Sequence, residues 1–237
     1  MAENVMLSTA GLRAGYGGKP VLQGLDLEAR NGEILAVIGR NGVGKSTLMK
    51  SLIGLVPTMG GSIVYRDAPI EKLSAFKRAR LGIGYVPQGR DVFPRLTVAE
   101  NIAVGGMLQG KVSEADCERV LGYFPILRER WSQRAGTMSG GQQQQLAIAR
   151  VLVANPQLIL LDEPSEGIQP NIVQDIARIA VQLNKDTGVT VVLVEQNIDM
   201  IRAMAQRCYV MDKGRIVAEL AHDALADGEE MRRHLAV

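Results

Sequence analysis

Residues Gly39–Thr47 read GRNGVGKST, with the complete spacing G-x-x-x-x-G-K-S running from Gly39 to Ser46. Gly39, Gly42 and Gly44 let the backbone turn tightly and present its amides to an anion held at the start of a helix. Lys45 would then reach the outer phosphates of a nucleoside triphosphate, and the Ser46 hydroxyl would ligate Mg2+. Arg40, Asn41, Val43 and Thr47 complete the candidate loop. Average residue usage produces this pattern by chance in about 1% of chains this long, so an incidental glycine turn is not a competitive reading.

Two further segments could do chemistry. Leu158–Glu163 (LILLDE) is an apolar run ending in two carboxylates. A buried strand here would point Asp162 at the Mg2+ shell and leave Glu163 facing an attacking water, as base or orienting group. Alone, such a run is more often a strand end with solvated charges; the phosphate loop gives it weight. Ser139–Gln142 (SGGQ) offers small residues that admit a ligand closely. A helix over Gln143–Leu152 would aim its positive N-terminal end at an anion. By itself, this segment reads as a polar loop leading into a helix.

The elements that must position these residues are legible in outline. Leu25, Leu27 and Ala29 alternate with Asp26 and Glu28, the pattern of a half-exposed strand, and the first thirty residues read as short strands separated by glycines. Ile34–Ile38 is a continuous apolar run that suits a strand buried on both faces. Lys45–Leu55 places Leu48, Leu52 and Leu55 on one helical face. From about Asp91 to Ala154 the chain changes character, with capping boxes at Thr97/Glu100 and Ser113/Asp116 that open helices. Alternation then resumes: strand Leu158–Leu161, helix from Pro170 with a stop at Gly188, strand Val189–Val194, helix Ile198–Gln206 and strand Cys208–Met211. Strands alternating with helices predict a mostly parallel sheet covered on both faces.

In order and spacing, Gly39–Thr47, Ser139–Gln142 and Leu158–Glu163 resemble the ATP-hydrolysing subunit of an ABC transporter, and the resemblance runs from about Leu7 to the C-terminus. It implies an α/β fold: a phosphate-loop NTPase (RecA-like) core with a mostly parallel sheet, an N-terminal antiparallel β subdomain and an inserted helical subdomain. Residues 1–90 and 155–237 would form the core and 91–154 the helical lobe carrying Ser139, Gly140, Gly141 and Gln142. In this family that segment closes over the ATP of a partner in a head-to-tail dimer. Met138 stands where Leu is usual, a volume-conserving change. The resemblance further implies that Tyr16 stacks on adenine and that Gln88 touches Mg2+ and the water. Read alone, Tyr16 is an ordinary half-buried strand tyrosine and Gln88 a turn residue after Pro87.

Two positions depart from the common pattern. Gln196 stands where most members carry a switch histidine; its amide can donate to a γ-phosphate but cannot become cationic near neutral pH. Pro164–Pro170 reads PSEGIQP, with Gln169 at the usual Asp position. Both wordings are similar to one importer branch, the branched-chain amino acid and urea transporters. The resemblance implies ATP and Mg2+ as cofactors, and as partners a second ATPase subunit (the same chain or a sibling), two membrane-spanning permease subunits and, indirectly, a periplasmic solute-binding protein.

Composition agrees. With 237 residues, 46% of them hydrophobic, the chain can bury a substantial core, and a net charge of +2 does not suggest nucleic acid as a partner. Cys117 and Cys208 lack metal or redox spacing and read as buried free thiols; His222 and His234 read as surface residues of a polar tail. No apolar run approaches the roughly 20 residues of a membrane helix, and MAENVMLS lacks a secretory pattern. The expectation is a protein peripheral to the cytoplasmic face of a bacterial inner membrane. The rival classes are a soluble ABC ATPase of DNA repair or translation, which would show tandem cassettes or long coiled-coil insertions, and an ATP-binding regulatory module. Intact Lys45, Asp162 and Glu163 argue against the latter.

Overall fold

The computed structural model describes residues 5–107, 110 and 112–226. Two strands open the chain, β1 (Val5–Tyr16) and β2 (Lys19–Arg30), joined by Gly17 and Gly18. Both glycines have positive φ, 55° and 78°, as a two-residue hairpin turn requires. The expected short strands are thus two strands of 12 residues each. Gly11 and Gly24 do not break them; the register shifts between Thr9 and Leu12, so the ladder absorbs an irregularity and continues. With β4 (Thr58–Tyr65) and β5 (Ala68–Pro69) these strands form an antiparallel sheet in the order β2-β1-β4-β5.

The second sheet comprises β3 (Ile34–Ile38), β6 (Ile83–Val86), β7 (Leu158–Asp162), β8 (Thr190–Glu195), β9 (Arg207–Asp212) and β10 (Arg215–Ala221). Its order is β10-β9-β3-β8-β7-β6, parallel throughout except for the β9–β10 hairpin at one edge. β3, β7 and β8 are buried along their whole length, which is why they read as unbroken apolar runs. Alternate residues feed two cores. Leu35 and Val37 join one with α1 (Lys45–Ile53) and the antiparallel sheet; Ile34, Ala36 and Ile38 join the other with the remaining large helices.

Between β6 and β7 the chain forms α3 (Val98–Gly106), α4 (Glu114–Tyr123), α5 (Pro125–Glu129) and α6 (Gly140–Leu152); α2 (Ala75–Arg80) precedes β6. Thr97 and Glu100 make the expected capping box, and the Ser113 hydroxyl accepts from the Asp116 N–H. α7 (Pro170–Thr187) starts on its proline and stops at Gly188, in the left-handed region at φ 69°. α8 (Ile198–Met204) ends two residues before the expected Gln206, and α9 (His222–Ala226) follows β10.

Several expectations are corrected. α1 stops at Ile53 because Gly54 turns left-handed, so Leu55 leaves the helical face and is 59% exposed. α6 starts at Gly140 rather than Gln143, since Ser139 caps it and the two glycines fill its first turn. Cys208 is buried, its thiol pushed up to about 12 by desolvation, but Cys117 is only half-buried. His222 is exposed and opens α9, whereas His234 lies outside the described residues.

Candidate active site

Because β3, β6, β7 and β8 run parallel, their C-terminal ends lie along one edge of the sheet. The loops that follow them are therefore brought together there, where open α/β sheets bind ligands. These loops carry Gly39–Gly44, Gln88, Glu163 and Gln196. They border a cleft of about 430 Å3 lined by Val21, Asn41, Gly42, Gly44, Lys45, Ser46, Thr47, Gln88 and Glu163.

The first loop needs its glycines for two different reasons. A Cβ on Gly39 would stand 2.4 Å from the Met211 carbonyl oxygen on neighbouring β9, so the position excludes any side chain. Gly44, the N-cap of α1, has φ 113° and offers no side-chain cap, so the helix begins with uncapped N–H groups facing the cleft. Val43 is buried, and its carbonyl accepts from the Gly214 N–H. Lys45 is nearly fully buried and donates to the carbonyls of Gly39 (2.9 Å) and Arg40 (3.2 Å). Its ammonium also lies 3.1 Å from Glu163 Oε1.

Asp162 ends β7 at 1% exposure. The Ser46 hydroxyl donates to its Oδ1 at 3.0 Å and the Tyr85 hydroxyl to its Oδ2 at 3.1 Å. Burial pushes the Asp162 carboxyl above its ordinary value, and these two hydroxyls pull it partly back. Among the described residues no cation forms an ion pair with it. A buried carboxylate beside a serine hydroxyl, with no ion-pair partner among the described residues, is a donor set that suits a hard cation such as Mg2+.

Glu163 has φ 45°, a conformation that costs a side-chain-bearing residue about 1–3 kcal/mol. Its N–H donates to the Val194 carbonyl at 3.0 Å, which ties the turn to β8. The Gln196 amide donates to Glu163 Oε1 (3.1 Å) and to Asn41 Oδ1 (2.7 Å). The Gln88 amide donates more closely to Glu166 (3.0 Å) than to Glu163 (3.5 Å).

Three residues not singled out from the sequence hold this arrangement together. Tyr85 has just been described. Glu195, 2% exposed, accepts from the N–H groups of Ser165, Gln196 and Asn197, and so pins both the loop after Glu163 and the turn carrying Gln196. A carboxylate at the end of the apolar run Val191–Val194 was the only available signal. Arg90 donates to the carbonyls of Glu166 and Gly167, and its guanidinium lies where a Cβ on Gly140 would go.

The other predicted residues stand apart. None of Ser139, Gly140, Gly141 or Gln142 lines the cleft. Ser139 and Gln142 instead cap α6 reciprocally: the Gln142 N–H donates to Ser139 Oγ and the Ser139 N–H to Gln142 Oε1. A Cβ on Gly141 would meet Ile172 at 2.8 Å. Tyr16 ends β1 beside the hairpin turn, half exposed and outside the cleft lining. Gln169 is the N-cap of α7 but makes no side-chain cap bond.

A glycine loop at the sheet's C-terminal edge, a buried lysine and a half-buried serine beside it, and an aspartate bonded to that serine define a phosphate-loop nucleoside triphosphatase. A sequence model described as ABC transporter matches residues 22–166, more than half of the chain. The high-affinity branched-chain amino acid transport ATP-binding protein BraG of Pseudomonas aeruginosa is 45% identical, with 96% of this chain and 97% of that one covered. The lipopolysaccharide export system ATP-binding protein LptB of Escherichia coli is 34% identical over 96% and 95% of the two chains. Among solved structures, the ADP conformation of the ATP-binding cassette MJ1267 superimposes with a TM-score of 0.84 at 25% identity, covering 96% and 97%. The dimeric post-hydrolysis state of the cassette MJ0796, bound to ADP and Pi, does so at 0.82 and 25%, covering 92% and 99%. The chain belongs to the ABC transporter family, as one of its ATP-hydrolysing nucleotide-binding cassettes.

Proposed function

We propose that this chain is the ATP-hydrolysing motor of an ABC importer for branched-chain amino acids or urea-like small solutes. The observation that carries the reading is the cluster of Lys45, Glu163 and Gln196 beside Ser46 and Asp162. In this reading Lys45 and the amides of Gly39–Thr47 hold the phosphates. An arriving γ-phosphate competes with Glu163 for the Lys45 ammonium, which releases the carboxylate to orient or deprotonate water. Gln196 donates to the γ-phosphate, and Tyr16 stacks on adenine. Ser46, Asp162 and Gln88 would hold Mg2+, which when bound would neutralise charge on the outer phosphate oxygens.

The Ser139–Gln142 segment serves a second copy or a sibling subunit in a head-to-tail dimer, consistent with the exposure of Ser139 and the segment's separation from the chain's own cleft. Residues 91–154 act as the helical lobe and residues 1–90 with 155–237 as the core. No helix among the described residues is long and apolar enough to cross a membrane. Two membrane-spanning permease subunits supply the pathway, fed by a periplasmic solute-binding protein, and this chain docks on them at the cytoplasmic face of the inner membrane. A groove of about 380 Å3 supports their docking here: Leu55, Phe76 and Phe93 are all exposed along it. Arg150 lies in the same groove, over the Phe93 ring.

The test is reconstitution with the permease subunits in vesicles that hold ATP and Mg2+, followed by uptake of labelled leucine and of labelled urea delivered by the binding protein. ATP-dependent uptake of either solute is expected. ATP turnover by the complex without uptake of either would sink the solute assignment, and no turnover at all would sink the motor reading.

A further inference from the structure

Tyr85 lies opposite Leu160 in the parallel pairing of β6 and β7. Side chains alternate along a strand, so Asp162, two residues beyond Leu160, projects from the same face and is a diagonal neighbour of Tyr85. That is the α1 face, since Leu158 and Leu160 pack in the same core as Leu48 and Leu52. The three side chains therefore converge. The Tyr85 hydroxyl occupies Asp162 Oδ2 at 3.1 Å and the Ser46 hydroxyl Oδ1 at 3.0 Å, so each carboxylate oxygen has its own donor.

The two donors differ in stiffness. Ser46 sits on the first turn of α1, and its hydroxyl can rotate away toward another partner. Tyr85 carries a rigid ring in a half-buried position, packed against the apolar core under α1 and bordering the groove with Phe93 and Arg150. Its hydroxyl therefore approaches Asp162 from a fixed direction. The χ2 torsion of an aspartate is broad, so a bond to one carboxylate oxygen fixes where the other points.

We infer that Tyr85 is a positioning residue: its hydroxyl holds Asp162 so that Oδ1 faces Ser46, and the pair is set for Mg2+ before the ion arrives. This rests on the reading above that Ser46 and Asp162 hold the metal. The plainer alternative is a tyrosine hydroxyl that has found the nearest acceptor and only stabilises the fold.

Tyr85→Phe keeps the ring and removes the donor. Mn2+ binding to the ATP-loaded, EDTA-stripped protein, read by electron paramagnetic resonance, should weaken roughly 3- to 10-fold, the size of one hydrogen bond. Affinity for ATP in EDTA should change less than about twofold, since the phosphate loop is untouched. In steady-state hydrolysis the half-saturating Mg2+ should rise by the same factor, with kcat at saturating Mg2+ near that of the native protein. Unchanged Mn2+ affinity with a lowered melting temperature would overturn the proposal in favour of a purely structural tyrosine. Asp162→Asn is measured alongside: if it leaves Mn2+ affinity intact, the metal assignment itself fails, whereas an effect there with none for Tyr85→Phe defeats only the role given to Tyr85.

Discussion

The turn before α1 and the turn before α6 both place glycines at a helix start, yet they are finished differently. Before α1, Gly42 and Gly44 take positive φ (81° and 113°), and the cap residue has no side chain to satisfy the first N–H groups. Before α6, Ser139 is an ordinary extended N-cap, and Gln142 completes a capping box. Its glycines lie inside the helix and serve to make room, Gly140 for Arg90 and Gly141 for Ile172. The first turn opens on a cleft that the same chain also lines with Gln88 and Glu163. The second has satisfied its own cap and lies outside that cleft, with Ser139 exposed; in the head-to-tail reading its anion is brought by another molecule. A glycine pair at a helix start is thus not one kind of site: Gly42 and Gly44 precede α1 at positive φ, whereas Gly140 and Gly141 lie within α6.

The largest effect should come from the completed cleft. Glu163→Gln keeps the shape and removes the charge, and turnover should fall by about 10²- to 10⁴-fold, the usual contribution of a general base. ATP binding should persist, and an ATP-stabilised dimer should be visible by size-exclusion chromatography. More than half the native rate would remove Glu163 from catalysis. Gln196→Ala should slow hydrolysis by roughly 10- to 1,000-fold, as loss of a transition-state donor does. Gln196→His should stay active and add a pH dependence near about 6 to 7. An Ala variant as fast as the native protein would move the γ-phosphate sensor elsewhere.

Lys45→Ala should act on binding. Losing a charge-assisted contact should weaken ATP roughly 10- to 100-fold, measured by equilibrium titration with a fluorescent analogue. The variant also strips Glu163 of its ion-pair partner, so a melting curve must accompany the titration. Unchanged affinity would contradict the role of the whole Gly39–Thr47 loop.

What could be read from the sequence follows the range of the interactions. The loop from β3 into α1 is local, and its residues sit where their spacing placed them. Asp162 and Glu163 were legible because an unbroken apolar run fixes a buried strand and hence where it ends. Tyr85 and Glu195 were not, because their roles depend on β6 lying beside β7 and β7 beside β8, an order that no local pattern encodes. The errors are also physical. Gly11 and Gly24 resemble breaks, but an antiparallel ladder can absorb them as irregularities. Gly54 ended α1 at Ile53, two residues before Leu55, overriding an apolar spacing that would have extended it. The glycines at the start of α6 argued against helix, yet the first turn needs no intrahelical N–H bonds, so their poor propensity costs little there.

The smallest expected effect probes the turn before α6 and sharpens the comparison most. If Ser139 were only a cap, Ser139→Ala would cost about 1 kcal/mol, a drop of about 2–4 °C in melting temperature for a chain of this size, and nothing else. Ser139→Gly would cost only a few tenths of a kcal/mol, because glycine is itself a fair cap. If Ser139 also meets a partner's γ-phosphate, both variants lose the same hydroxyl. ATP-driven dimerisation should then fall alike in the two, by roughly 5-fold or more for one hydrogen bond to a charged group, although their stabilities differ. Sedimentation of both variants with ATP in the Glu163→Gln background, which suppresses turnover, separates the two accounts. Dimerisation that tracked melting temperature, falling in the Ala form and intact in the Gly form, would make Ser139 a cap and nothing more. The head-to-tail reading would then have to rest on the α6 amides alone.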